Sequence, residues 1–102
     1  MRKNGLKVRR SGGNVFRDLG FPAHEAEHLL VRSNLMLRLE RELKVRNLTQ
    51  AAAAARLGVS QPRVSNLLGG RIELFSTDTL IDMLARLGVR VRVVAAGRKK
   101  VA

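Results

Sequence analysis

Five small or polar side chains between positions 61 and 66 have the types and the spacing that contact with DNA bases requires. They are Gln61, Pro62, Arg63, Ser65 and Asn66. In a helix these residues occupy the half that faces away from the apolar pair Val64 and Leu67. Glutamine and asparagine can bond adenine through two hydrogen bonds, arginine can bond guanine, and a small apolar group can touch the thymine methyl. This surface, the reading face, predicts contact with base edges in the major groove.

A second group with possible chemistry is the run His24-Glu25-Ala26-Glu27-His28, which has the H-E-x-x-H pattern of zinc metalloproteases. On a helix the two histidines share one face, and the first glutamate could act as a general base. The chain has no other histidine, so a third zinc ligand would have to be a carboxylate. A surface helix turn with acids near the helix N-terminus explains the same residues. A zinc-dependent hydrolase is therefore a distant alternative, and we predict that the chain is not an enzyme and has no catalytic residue, metal site or cofactor.

The reading face needs two short helices to hold it, and residues 49–71 predict them. Thr49 is a good N-cap for a first helix over residues 50–57, which are mostly alanine, the best helix former. Gly58 can end that helix in the left-handed conformation, and Ser60 can cap the second helix. Two helices joined by a turn of about three to four residues have the spacing of a helix-turn-helix.

The same stretch resembles the helix-turn-helix of the Xre family of phage-repressor-like regulators. The matching residues are Leu48-Thr49-Gln50-Ala51, Ala54, Gly58, Val59-Ser60-Gln61, Val64-Ser65, Leu67 and Gly70-Arg71. The resemblance implies that Gln50 holds a phosphate and that Asn66 contacts the DNA backbone. It also implies that base edges face Ser60, Gln61, Pro62 and Arg63, although proline at 62 departs from the polar residue common there. The full predicted DNA-binding set is Thr49, Gln50, Ser60, Gln61, Pro62, Arg63, Ser65, Asn66 and Arg71.

Basic residues at both ends of the chain favour a polyanionic partner. The formal net charge is +12, and residues 1–13 and 89–102 each carry five Lys or Arg and no acid. We expect duplex DNA, bound more weakly as the salt concentration rises. Tails that only keep the chain in solution are the alternative for each end. A helical hairpin used only for packing or protein contacts is the alternative for the motif.

Composition excludes several other classes of protein. The absence of cysteine excludes disulfide scaffolds, thiolate zinc sites and cysteine nucleophiles, and is compatible with a reducing compartment. Three phenylalanines without tryptophan or tyrosine offer few platforms on which single-stranded nucleic acid could stack. No run approaches the roughly 18 apolar residues of a membrane span, and the N-terminus lacks the apolar segment of a secretory signal. We therefore expect a cytoplasmic protein that does not bind membranes.

The length of 102 residues suits a single domain, and we divide the chain into three parts. Residues 1–13 are predicted to be a basic flexible tail, residues 14–95 a helix-turn-helix DNA-binding domain, and residues 96–102 a second basic tail. The fold class is predicted to be mainly α. From the family resemblance we expect a lambda-repressor-like helical bundle, with a short C-terminal β-strand used in dimerisation.

Outside the motif, the patterns predict four further elements. Residues 14–21 are predicted to form a short extended piece, and helical sequence runs from Pro22 to Arg46, as one helix or as two with a break near Ser33-Asn34. Residues 77–87 have the spacing of a helix with one buried face. Residues 89–94 alternate valine and arginine over most of their length, which is typical of a strand with one exposed face.

The predicted C-terminal strand needs a partner for its backbone hydrogen bonds. It could pair with residues 14–19 of the same chain or with the equivalent strand of a second chain. The second arrangement would give a symmetric homodimer. Two reading helices about one turn of DNA apart, roughly 34 Å, would then match a palindromic operator.

A wider part of the chain, roughly residues 14–95, is similar to the HigA-like antitoxins. The similar segments are Asn14–Phe21, Glu25-Ala26-Glu27, the helix-turn-helix, Phe75-Ser76 and the valine-rich end. The similarity implies a regulator that represses its own operon and neutralises a small basic mRNA-cleaving toxin by direct binding. Acids in the first two segments suit a basic toxin better than the basic N-terminus does. A stand-alone or phage-like repressor without a toxin partner is the alternative.

Overall fold

Two strands, five α-helices and one 3-10 turn make up the part of the chain that the computed structural model describes, namely the backbone of residues 5–10 together with residues 14–95 and 97. In chain order they are β1 (Gly5–Arg10), α1 (Val15–Asp18), α2 (Ala23–Val45), α3 (Gln50–Leu57), α4 (Gln61–Leu68), the 3-10 turn (Ile72–Leu74), α5 (Thr77–Arg86) and β2 (Arg90–Ala95). The predicted mainly α fold is confirmed. The remaining residues of the two predicted tails lie outside the described part.

The longest helix, α2, forms one side of the core. Leu35, Leu39 and Leu43 follow one another at helical spacing and are at most 4% exposed, so they form an apolar stripe on the buried side of this helix. The helix continues without a break through Ser33 and Asn34. Buried side chains of α3, α4 and α5 pack with this stripe in one continuous core.

The N-terminal segment departs from its predicted course. Residues 5–10, expected in a mobile tail, form β1, and the segment 14–21, expected to be extended, contains the helical turn α1. Asn14 explains the turn: its Oδ1 accepts a hydrogen bond from the N–H of Phe16, and its Nδ2 donates one to the carbonyl of Ala26, both over 2.8 Å. Asn14 is only 3% exposed. Its two hydrogen bonds cap α1 and connect α1 to α2.

A parallel pairing joins the two strands, with Gly5 opposite Arg90 and Arg10 opposite Ala95. Of the two partners considered for the C-terminal strand, residues 14–19 of the same chain are wrong, because that segment contains α1. The strand that pairs with β2 is β1. Within the described sheet, β1 is hydrogen-bonded to one edge of β2. Pairing of its other edge with a second chain stays a prediction.

Candidate nucleic-acid interface

A close crossing of α3 and α4 holds the motif together. Gly58, at a φ of 70°, ends α3 in the left-handed conformation, and the N–H of Val59 then donates to the carbonyl of Ala54 over 3.0 Å. Ala54 is buried at this crossing, where a larger side chain would separate the helices. Four apolar residues of the two helices are each at most 2% exposed: Ala53, Leu57, Val64 and Leu67.

Most of the predicted DNA-binding residues lie on the surface. Seven of the nine are exposed: Thr49, Gln50, Ser60, Gln61, Pro62, Ser65 and Arg71. Arg63 and Asn66 are half-buried. Neither α3 nor α4 contains an acidic residue, so no carboxylate of these two helices would repel a phosphate brought against them.

The hydroxyl groups of Thr49 and Ser60 both cap helices. Thr49 Oγ1 accepts a hydrogen bond from the N–H of Ala52 over 3.1 Å, and Ser60 Oγ accepts one from the N–H of Arg63 over 3.3 Å. Both N-caps predicted from the sequence are therefore confirmed. Each hydroxyl still has its proton to donate, so a cap at the start of either helix can also bond a phosphate oxygen.

Arg63 has two partners within the protein. Its Nη1 donates a hydrogen bond of 2.9 Å to the carbonyl of Leu74, and its guanidinium carbon lies 4.2 Å from the centroid of the Phe75 ring. Neither partner is apparent from the sequence as part of the site. The two residues lie eleven and twelve positions further along the chain, and only the course of the 3-10 turn brings them beside α4. The predicted guanine contact of Arg63 would compete with these contacts.

Arg71, three residues beyond the end of α4, forms an exposed ion pair. Its Nε lies 2.7 Å from Oε2 of Glu73, and both side chains are 56% exposed. A hydrogen bond from the backbone N–H of Glu73 itself, reinforced by the Arg71 guanidinium, lowers the pKa of the Glu73 carboxyl below its usual value. Glu73 would therefore compete with a phosphate for Arg71, and such an exposed pair is weak enough to exchange.

The histidine pair lies on the surface of α2. His24 and His28 are both exposed. Within the described part of the chain, no three His, Cys, Asp or Glu side chains come together as a metal-binding group. The same part of the chain contains no helix that is both long and apolar enough to cross a membrane.

A second exposed surface surrounds α1. Val15 is 53% exposed, Leu19 69% and Phe21 39%. The acids Asp18 and Glu25 are exposed on the same short stretch of chain. We call these five residues the α1 patch. It combines apolar area with two carboxylates, and Arg17, also exposed in α1, is the one Lys or Arg on this stretch of chain.

Comparisons with known proteins agree with this geometry. A family model described as a helix-turn-helix domain matches residues 15–96. Among solved structures, a protein assigned to the XRE family of transcriptional regulators matches with a TM-score of 0.67 and 36% sequence identity, and the match covers 76% of this chain and 97% of that one. A search of curated proteins finds no match.

Proposed function

Because this chain belongs to the XRE family of helix-turn-helix proteins, we propose that it is a transcriptional regulator that binds double-stranded DNA in a sequence-specific manner. The observation that carries the proposal is the position of the reading face. Val64 and Leu67 bury one side of α4, and Gln61, Pro62 and Ser65 remain exposed on the other. A short helix with this division can lie in the major groove while its buried side stays on the protein.

In this proposal the start of α3 holds the DNA backbone. Gln50 is the first residue of that helix and is exposed, and Thr49 caps it. Free N–H groups and the helix dipole favour an anion at a helix N-terminus. Phosphate contact there sets the register of the protein on the duplex, and α4 then contacts the bases.

We also propose that the protein acts as a homodimer on a palindromic operator. One helix-turn-helix covers only a half-site, and a symmetric pair places two copies of α4 about one turn of DNA apart, roughly 34 Å. The edge of β2 opposite β1 offers backbone groups through which two copies could pair. Sedimentation of the protein as a monomer at micromolar concentration, with and without operator DNA, would count against this arrangement.

A second role, neutralisation of a toxin, is favoured by the α1 patch. Apolar area next to Asp18 and Glu25 suits a small basic protein better than it suits DNA. The proposed regulator would then repress its own operon in the cytoplasm and bind the toxin through a surface outside the reading face. A stand-alone repressor lacks this partner. Co-purification of the product of the neighbouring gene distinguishes the two, and Leu19→Asp should abolish the complex while operator affinity stays unchanged.

A footprint over the promoter of the protein's own gene tests the main proposal. We expect protection of two half-sites on the same face of the duplex, separated by about one helical turn. Selection from a random duplex pool should enrich the same sequence. If the purified protein protects no site and enriches no sequence, the proposed function is wrong.

A further inference from the structure

We propose that Arg63 is a positioning residue, which fixes the angle of α4 against the start of α5 and does not contact a base. This inference deepens the proposed function and rests on it. Two contacts carry it: the 2.9 Å hydrogen bond from Nη1 to the carbonyl of Leu74, and the placement of the guanidinium 4.2 Å from the centroid of Phe75. Both contacts exist in the protein alone, before any DNA is bound.

The ring of Phe75 is a rigid support for the guanidinium. Phe75 is 1% exposed and belongs to the continuous core. Its ring therefore cannot follow a side chain that moves toward DNA. A cation over the face of an aromatic ring is attracted by the electrons of that face. Arg63, itself half-buried, is held from one side by this ring and from the end by a carbonyl.

To contact a guanine, Arg63 would have to leave its positions against Leu74 and Phe75. The terminal nitrogens Nη1 and Nη2 present paired N–H donors, and Nη1 already bonds Leu74. Nη2 and Nε remain as donors, but raising the guanidinium into the groove to bring them to a base edge would break both the bond to Leu74 and the contact with the Phe75 ring. Gln61 and Ser65 are exposed on the same helix, and their side chains form no hydrogen bond with another described residue.

Arg63 lies where its contacts can fix the N-terminal end of α4. It lies in the first turn of α4, whereas Leu74 and Phe75 directly precede Ser76, the N-cap of α5. Among the described residues, Arg63 has the one side chain of α4 that hydrogen-bonds to another element. At the other end of α4 the chain continues through Gly69 and Gly70, which have no side chain that could hold the helix in position. Arg63 therefore holds the end of α4 that enters the groove.

Base preference and salt dependence separate the possible roles of Arg63. A positioning residue affects all operator sequences alike, so Arg63→Gln should reduce affinity by about tenfold for the preferred duplex and for every single-base variant of it. A residue that contacts guanine would lose discrimination at one base pair only. A residue that contacts phosphate would lower the slope of log affinity against log salt by about one. We expect an unchanged slope and an unchanged order of preference.

The experiment uses the full chain and the duplex that the parent protein enriches from a random pool. Binding of parent, Arg63→Gln, Phe75→Leu and the double variant is measured on that duplex and on its single-base variants at several salt concentrations. Because the two residues act as one unit, the double variant should lose no more affinity than Arg63→Gln alone. Gln61→Ala is the matched control, and it should alter preference at one position.

Each outcome decides the matter. A collapse of preference at one base pair in Arg63→Gln overturns the inference, as does a salt slope lowered by about one. If Phe75→Leu does not fold, the preference profile and the salt slope of Arg63→Gln decide without it. If the parent enriches no sequence at all, the proposed function fails and the inference fails with it.

Discussion

Arg46, which follows the last residue of α2, donates a hydrogen bond of 2.7 Å from Nη2 to the carbonyl of Leu87, which follows the last residue of α5. The same Nη2 lies 3.1 Å from Oε1 of Glu42, and Glu42 also bonds Arg38 over 2.8 Å. Glu42 therefore holds the side chain that joins the two helices. This connection lies close to β2 along the chain and outside the reading face.

The ion pairs of Glu42 make stability depend on pH. Burial disfavours the charged form of Glu42, but hydrogen bonds from Arg38 and Arg46 outweigh it, so the pKa of Glu42 lies below its ordinary value of 4.5. A carboxyl whose pKa is lower in the folded than in the unfolded state stabilises the fold above the unfolded pKa, and this contribution disappears as the pH falls through the folded pKa. We expect the free energy of unfolding from urea titrations to decline below pH 4.5, and Glu42→Gln to flatten part of that decline.

Glu73→Gln is the control for this pH dependence. Its ion pair with Arg71 is more than half exposed, and exposed pairs contribute little to stability. Because the pKa of Glu73 is lowered as well, Glu73→Gln should also flatten the decline, but by less than Glu42→Gln does. An equal flattening in both variants would show that the Glu42 connection has no special part in holding α2 to α5.

Asn14 should matter for stability because one buried side chain serves two elements. Asn14→Ala removes the N-cap of α1 and the buried hydrogen bond that the side chain donates to the carbonyl of Ala26 in α2. Loss of a cap and of a buried hydrogen bond should lower the free energy of unfolding by about 1–3 kcal/mol. The half-buried Asn34 forms no side-chain hydrogen bond with another described residue, so Asn34→Ala is the matched control, with a change of about 0.5 kcal/mol or less. Equal effects would contradict the role of Asn14.

Gln61 and Gln50 should have different effects on DNA binding. Gln61 is exposed on the reading face, so Gln61→Ala should weaken binding to the preferred duplex by about 1–3 kcal/mol and relax preference at one base pair. Gln50 begins α3, where a phosphate contact is expected, so Gln50→Ala should weaken binding to all sequences by a similar factor. Fluorescence anisotropy with a series of single-base variants measures both. A uniform loss for Gln61→Ala would remove it from the set of base contacts.

Local signals explain how much of the site could be predicted. Thr49, Ser60 and Ser76 each accept a hydrogen bond from the N–H three residues further on, and Gly58 has a positive φ. These features depend on residues within one helical turn. The buried sides of α3 and α4 follow from apolar spacing, which is equally local. The motif was therefore accessible from the sequence alone.

The features that sequence analysis missed depend on contacts between distant segments. The segment Gly5–Arg10 alternates leucine and valine with lysine and arginine, a possible strand pattern, but its basic composition favoured a tail and its partner β2 lies at the other end of the chain. The turn α1 depends on the bond between Asn14 and Ala26. The contacts of Arg63 depend on the path of the 3-10 turn. None of these partners lies within one helical turn.

The central claim is that α4 enters the major groove with its reading face toward the bases. It can be tested with an iron chelate that is attached to one residue of the protein and cleaves the DNA beside it. The chain has no cysteine, so Ser65→Cys provides one labelling site on the reading face. Leu19→Cys, in the α1 patch, is the control. We predict that iron chelate at position 65 cuts the operator within two half-sites about one helical turn apart, and that position 19 gives no such cuts. Cleavage from position 19 with an intact duplex opposite position 65 would contradict the account.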